Sequence, residues 1–220
     1  MEIERKYGLN FNLKKIVRIK KKFDLKTAIR KKNIYRASFK RGEEHTVFPN
    51  LLEQNFNPAS SETHLSTDIT EFHYEKGQKA YLSAVKNLRT KEIVSFEVAA
   101  RPTIDMVTLN LDKYLKSFSQ KQKTKILIHS DQGAHYTSTQ YRYLLEKHKV
   151  TQSMSRKGNC LDNSPIESFF GHLKDEVDYK ACKSFKELKK KIKKYIIYYN
   201  TERPQWGLKR KTPAEARVKL

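Results

Sequence analysis

"TKILIHSD", residues 124–131, decides the fold. Ile126, Leu127 and Ile128 form the near-continuous apolar run of a strand buried on both faces. The strand ends at Asp131 and opens into a Gly-containing loop, "QGAHYTS" (132–138). Toward the amino terminus, "HLSTDITEF" (64–72) is short and rich in β-branched residues. "KAYLSAVKNL" (79–88) and "EIVSFEVAA" (92–100) flank "RTK" as a hairpin. "TIDMVTLNLDKYLKSF" (103–118) has helical periodicity. Toward the carboxyl terminus, "TSTQYRYLLEKHK" (137–149) predicts a helix, "VTQSMS" (150–155) a short strand, and a further helix opens at Ser164. "SFKELKKKIKKYIIYYN" (184–200) sets Phe185, Leu188, Ile192, Ile196 and Tyr199 on one helical stripe. The order is three strands, helix, strand, helix, strand, helix. An α/β fold satisfies it: a hairpin-led mixed sheet with helices on its faces.

The chain has 220 residues and a formal charge of +22. That length suits one medium domain with a smaller appendage. The apolar content of 37% is low, but Tyr and Phe supply bulk for a packed core. No apolar run approaches the roughly 20 residues that span a membrane, and the charged amino terminus lacks the apolar stretch of a signal peptide. No membrane partner is expected. Cys160 and Cys182 have neither the number nor the spacing of a zinc site or disulfide framework, which fits a reducing cytosol. The charge is uneven. Residues 1–42 hold 15 Lys/Arg against Glu2, Glu4 and Asp24, a net +12. A polyanion, nucleic acid first, is the favoured partner; a solvated, lysine-biased surface is the alternative. Ile16, Ile19 and Phe23 recur at helical spacing among basic residues in 12–32, which predicts a short basic helix presenting Lys14, Lys15 and Arg18. "NLLEQNFNPASSE" (50–62) reads as a linker.

Asp68 sits inside the first strand, where a carboxylate buried without a partner is costly; an edge position or a salt bridge would also account for it. Asp131 ends a strand, where ligands and catalytic groups gather; a plain turn residue is the alternative. Glu167 follows after 35 residues, in "NSPIESFF" (163–170). There Ser164 can cap a helix, Pro165 suits its first position, and Glu167 can reach back to the cap. Thr137/Gln140, Ser184/Glu187 and Thr212/Glu215 repeat the pattern, so capping competes with metal binding as the role of Glu167. Lys174 lies about two turns further along the same face, and "SRKGNCLDN" (155–163), with Arg156 and Lys157, offers a flexible basic approach. Three converging carboxylates repel and raise at least one pKa. Hard divalent ions relieve this: Mg²⁺, with Mn²⁺ able to substitute, as two ions roughly 3.5–4 Å apart. Asp162 is a rival carboxylate beside Glu167. His129 and His135 read as packed or hydrogen-bonding histidines. Tyr198, Tyr199 and Trp206 suit base stacking or helix packing, and Arg203, Lys209, Arg210 and Lys211 suit phosphate contacts.

"STDITEF", "ILIHSDQGAHYTS", "SRKGNCLDNSPIESFFGHLKDE" and "YYNTERPQWGLKRKTPAEA" together resemble the integrase-type catalytic core of insertion-sequence transposases of the IS-three family. The resemblance covers essentially the whole chain. It implies a ribonuclease H-like fold, related to retroviral integrases, and a metal triad falling on Asp68, Asp131 and Glu167, with the basic residue after the glutamate at Lys174. It implies metal-dependent cleavage of element ends and strand transfer into target DNA. A catalytically inactive DNA-binding remnant and a simple metal-dependent nuclease are the rival readings. Implied partners are double-stranded DNA, further copies of the chain in the DNA complex, and a product of an upstream reading frame; the implied location is the bacterial cytoplasm. "KYGLNFNLKKIVRIKKKFDLK" (6–26) resembles the end of the family's helix-turn-helix region. The expected organisation is a basic helical DNA-binding segment at 1–50, a catalytic core at 51–178 and a helical extension at 179–220. Leu65 stands where tryptophan is frequent in the family, and Asn87 where aspartate is, so altered packing is expected there.

Overall fold

A computed structural model describes residues 2–25, 46–58 and 63–218. In chain order the elements are α1 (Glu2–Tyr7), α2 (Leu13–Lys22), β1 (Thr63–Tyr74), β2 (Gln78–Asn87), β3 (Ile93–Ala99), α3 (Ile104–Leu115), α4 (Gln120–Lys123), β4 (Ile126–Ser130), α5 (Ala134–Thr137), α6 (Thr139–His148), β5 (Thr151–Met154), α7 (Ser164–Glu176), α8 (Phe185–Thr201) and α9 (Pro213–Val218). The strands form one five-stranded sheet in the order β3-β2-β1-β4-β5. β1, β2 and β3 pair antiparallel, whereas β4 runs parallel to both β1 and β5. This is the expected mixed sheet flanked by helices.

Alternation along β1 sorts its side chains between two cores. Phe72 and Tyr74 join Ala80, Leu82, Ile93 and Val98 in a cluster closed by Ile166, Phe169, Phe170 and Leu173 of α7 and by Leu188, Ile192, Tyr195, Ile196 and Tyr199 of α8. Leu65 points the other way, into a cluster with Val85, Met106, Leu111, Ile126, Ile128, Tyr141 and Leu145. Leu65 is fully buried there, so the smaller side chain at the tryptophan position still fills core space. Burying each such side chain contributes about 1.5–3 kcal/mol. Asn87 caps the β2–β3 turn, accepting from the N–H groups of Arg89 and Thr90.

The predicted linker is partly anchored instead. Its residues cover the exposed edge of β5, a position where free backbone groups would otherwise invite pairing. Met154 N–H donates to the Pro49 carbonyl, and the Leu51 and Leu52 N–H groups donate to Ser153 Oγ. Leu52 is 1% exposed. Having accepted twice, Ser153 Oγ has its own hydrogen left for His129 Nδ1 at 2.9 Å, which leaves His129 Nε2–H to donate to Ser155 Oγ at 3.0 Å. Burial holds His129 down at about 4, so the neutral ring this chain of bonds requires is the stable form. His129 is thus the hydrogen-bonding histidine that was expected.

The basic helix expected over 12–32 is α2, capped by Asn12, which accepts from Lys15 N–H at 2.9 Å. Residues 26–32 of that expectation lie outside the described residues. Lys14, Lys15 and Arg18 are exposed on it. α1 docks on the far end of the chain: Arg5 pairs with Glu215 at 2.5 Å, Arg210 with Glu4 at 3.5 Å, and Tyr198 OH donates to Glu2 at 3.0 Å.

Candidate active site

Strand register brings the two aspartates together. Ser66 pairs with His129 where β1 and β4 run parallel. Two residues further on, Asp68 lies within β1 and Asp131 just past the end of β4, so the chain direction set by this register carries the two acids toward one another. The Asp68 face of the sheet is the one covered by α7, because Asp68 shares its alternation with Ser66 and Phe72. Asp131 and Glu167 are exposed at the mouth, and Asp68 lies deeper, with part of its surface still open.

The start of α7 is fixed to the sheet by side chains that bond across to β1 and β2. Ser66 Oγ donates to Asn163 Oδ1 at 2.5 Å, and Asn163 Nδ2 donates to the Thr67 carbonyl at 3.3 Å. From β2, the buried Lys86 donates to the Pro165 carbonyl at 2.8 Å. Burial, with the charges of Lys91 and Arg203, lowers the Lys86 ammonium to about 7. These bonds correct the expected cap. Asn163, not Ser164, occupies the cap position, and its side chain makes no capping bond because it is engaged with β1. Ser164 is already helical at φ −54°, ψ −31°, since a 3-10 turn over Cys160–Asn163 feeds directly into α7. Glu167 therefore lies one residue too far along the helix to close a capping box.

Electrostatics tie the three acids into one group. Burial raises the Asp68 carboxyl well above the ordinary range, and the negative charges of Asp131 and Glu167 add to that. A bond from Ile69 N–H at 2.7 Å and the positive charge of Lys174 oppose it. Partial loss of water around its carboxyl group likewise raises Asp131, although the residue opens to the surface, and Gly133 N–H at 2.9 Å and the charge of His135 offset this. Lys174 is held with its Nζ 5.1 Å above the Phe72 ring, on the same side. Among the described residues, no three acidic, histidine or cysteine side chains are already closed around one point. Asp68 and Asp131 each lean on a backbone N–H. The donor set nonetheless fits a hard divalent cation: it is all oxygen, and its members repel one another in the charged form.

Other sequence candidates fall elsewhere. Asp162 is fully buried, and it accepts from Arg156 N, Nε and Nη2, Gln54 Nε2 and Asn159 Nδ2 at 2.9–3.2 Å. The Arg156 hydrogen bonds, first among these, hold its carboxyl far below the usual range. Asp162 staples the approach loop rather than joining Glu167, and the Arg156 guanidinium is committed to it. Arg203 is likewise engaged with Glu176, at 2.6 Å. Lys157 stands exposed on the loop. Tyr199 is buried against Phe169, with ring centres 4.8 Å apart, as helix packing predicts, and Trp206 is exposed under the Arg210 guanidinium.

Sequence reasoning missed Asn163, Lys86, Gly133 and Tyr136. A Cβ on Gly133 would stand 2.9 Å from Asp131 Oδ1, so the carboxylate's position requires glycine there. Its neighbourhood in "DQG" was the available signal. Tyr136, buried beside Thr67, feels the charges of both aspartates. Neither Lys86 nor Asn163 carried a local pattern, because their partners lie 79 to 97 residues away.

Comparison with known proteins bears on the family and the fold. Residues 58–160 match a family described as "Integrase core domain", and residues 148–213 match a second of the same description. The chain is 39% identical over 211 residues to the InsK transposase assigned to insertion sequence element IS150 of Escherichia coli K12, covering 96% of this chain and 72% of that one. It is 37% identical to a transposase-like protein of Haemophilus influenzae, covering 99% and 98%. The catalytic core domain of BIV integrase superposes with a TM-score of 0.52 at 17% identity, over 71% of this chain and 93% of that one. A chain of the simian T-cell lymphotropic virus intasome gives 0.57 at 15%, over 78% and 59%. The five-stranded sheet and its helices are thus the ribonuclease H-like integrase core fold. The chain belongs to the IS-three family of insertion-sequence transposases, with an integrase core domain.

Proposed function

We propose that this chain is a DNA transposase that cleaves the ends of an insertion sequence and joins them to target DNA. The observation that carries the reading is that β1, the end of β4 and the start of α7 present Asp68, Asp131 and Glu167 to one region, where the Asp68 carboxyl feels the charges of both other acids and of Lys174. The three carboxylates are the ligands for Mg²⁺, with Mn²⁺ able to substitute. A pair of such ions, when bound, supplies charge neutralisation and Lewis acidity for in-line phosphodiester displacement. In the first displacement water cleaves a phosphodiester and frees a 3′-hydroxyl. In the second that hydroxyl attacks a target phosphodiester and releases a new 3′-hydroxyl. Lys174 positions the reacting phosphate, and Lys157 meets the strand on the approach loop. Asn163 and Lys86 hold the start of α7 so that Glu167 stays in register with Asp68.

Glu167→Gln tests the reading. The metal-free variant should keep its stability within about 1 kcal/mol, the scale of a helix-terminus charge effect. Mn²⁺ should raise its melting temperature less than it raises the parent's, and cleavage and joining of element-end DNA should collapse. Retained cleavage would reject Glu167 as a ligand. Cleaved but never joined DNA from the parent chain would favour a plain nuclease.

A further inference from the structure

α8 carries a charge pattern that its own stability does not call for. Its 17 residues include Lys186, Lys189, Lys190, Lys191, Lys193 and Lys194 against a single acid, Glu187. The buried stripe of Leu188, Ile192, Tyr195, Ile196 and Tyr199 fixes the helix rotation. At 3.6 residues per turn, Lys186, Lys190, Lys193 and Lys194 then share the opposite face, and all four are exposed. The flanking lysines take the nearby acids: Lys189 pairs with Glu97 at 2.7 Å and Lys191 with Glu187 at 3.4 Å. Among the described residues, the four outward lysines form no ion pair.

Two physical effects act against this placement. Lys186/Lys190 and Lys190/Lys194 are like charges at i,i+4 spacing, which destabilise a helix. The cations also crowd the amino-terminal two-thirds, near the positive end of the helix dipole, while the last turn holds none. Neither packing nor helix stability explains the ladder. A polyanion does, because phosphates would relieve both effects. From Lys186 to Lys194 the ladder spans about 12 Å at 1.5 Å per residue, comparable to the roughly 12 Å width of the DNA major groove between its phosphate rows.

We propose that this face of α8 is a second docking surface for duplex DNA, gripping the phosphate backbone away from the carboxylate centre. The proposal rests on the transposase reading and deepens it. Lysine contacts to phosphate carry no sequence information, so the surface suits target or flanking DNA rather than a specific end sequence.

The test is the full chain with Lys186→Gln, Lys190→Gln, Lys193→Gln and Lys194→Gln combined, beside a matching four-arginine variant. Anisotropy with a short labelled duplex across a salt series should show a log–log slope reduced by about 0.9 for each phosphate no longer gripped. Affinity at low salt should fall at least tenfold, and the arginine variant should restore both. Mn²⁺ affinity should be unchanged, and the glutamine variant should melt at or above the parent temperature. A parental slope and affinity would overturn the surface while leaving the transposase reading standing. Absence of salt-dependent duplex binding by the parent would overturn both. A lowered melting temperature would show that the lysines serve the fold, and a slope change on anionic vesicles but not on DNA would assign the face to a lipid surface; either overturns the proposal.

Discussion

Gly133 shows how a single residue sets the geometry of the candidate centre. Its backbone, at φ −63° and ψ 152°, is one that any residue adopts, so conformational freedom is not the reason for glycine. Space is the reason, because the Asp131 carboxylate occupies the volume a side chain would need. Gly133→Ala should therefore turn Asp131 away, weakening Mn²⁺ binding about tenfold, or about 1.4 kcal/mol. Global stability should change by less than about 1 kcal/mol. Calorimetric Mn²⁺ titration beside a thermal melt checks this, and unaltered Mn²⁺ affinity would sink the idea. Asp68, Asp131 and Glu167 stood out in the sequence as candidates with rival structural roles, and it was the family resemblance that grouped them as a triad. Exclusion of Asp162 was not legible there, since its role depends on Gln54, which lies 108 residues away in sequence.

At the scale of elements, capping signals located helix starts to within a residue. Thr212 and Glu215 make the full reciprocal box, and Ser184 caps α8 through Glu187 N–H. The Glu187 carboxylate, however, accepts from Lys183, and α6 is capped by Ser138 rather than Thr137. Neighbouring serines and threonines compete for one role, and tertiary packing decides between them. Helix α3 is clamped to α6 by Asp112, which accepts from His148 Nε2 at 2.7 Å and pairs with Lys116 at 2.6 Å. The Lys116 hydrogen bond, then that from His148, lowers the Asp112 carboxyl to about 2. Because the folded value lies below the unfolded one, the stabilisation is complete above pH about 4 and is lost as pH falls toward 2. With Lys116 largely exposed, screening limits it to about 1–2 kcal/mol. Urea unfolding at pH 6 and pH 3 should show Asp112→Asn losing less stability on acidification than the parent does. Parallel curves would contradict the assignment.

Across the whole molecule, basic residues gather on α2, with six against no acid, and on α8, with six against one, while Arg156 and Lys157 stand on the approach loop. The amino-terminal segment is also not apart from the rest, since α1 pairs with residues of α8, α9 and the turn between them. α2 keeps its basic face exposed, so Lys14→Gln, Lys15→Gln and Arg18→Gln together should lower the log–log salt slope of duplex binding by about 0.9 for each phosphate released. Duplex titrations across salt measure it, and an unchanged slope would remove α2 from the DNA interface. No helix among the described residues is long and apolar enough to cross a membrane.

The sequence by itself determined the order of strands and helices, the two-sided burial of β4, the excess positive charge and the acids worth following. Those features are written in local periodicity, where each residue's neighbours along the chain fix its signal. Tertiary structure alone decided what those residues face. Only the β1–β4 register sets Asp68 beside Asp131, and only contacts from Ser66 and Lys86 fix where α7 begins. The same holds for the predicted linker, whose Leu52 disappears into the core once β5 offers an edge to cover. Hydrogen bonds between distant segments leave no periodic trace in sequence, because each partner's choice is made by the fold that brings the other within reach.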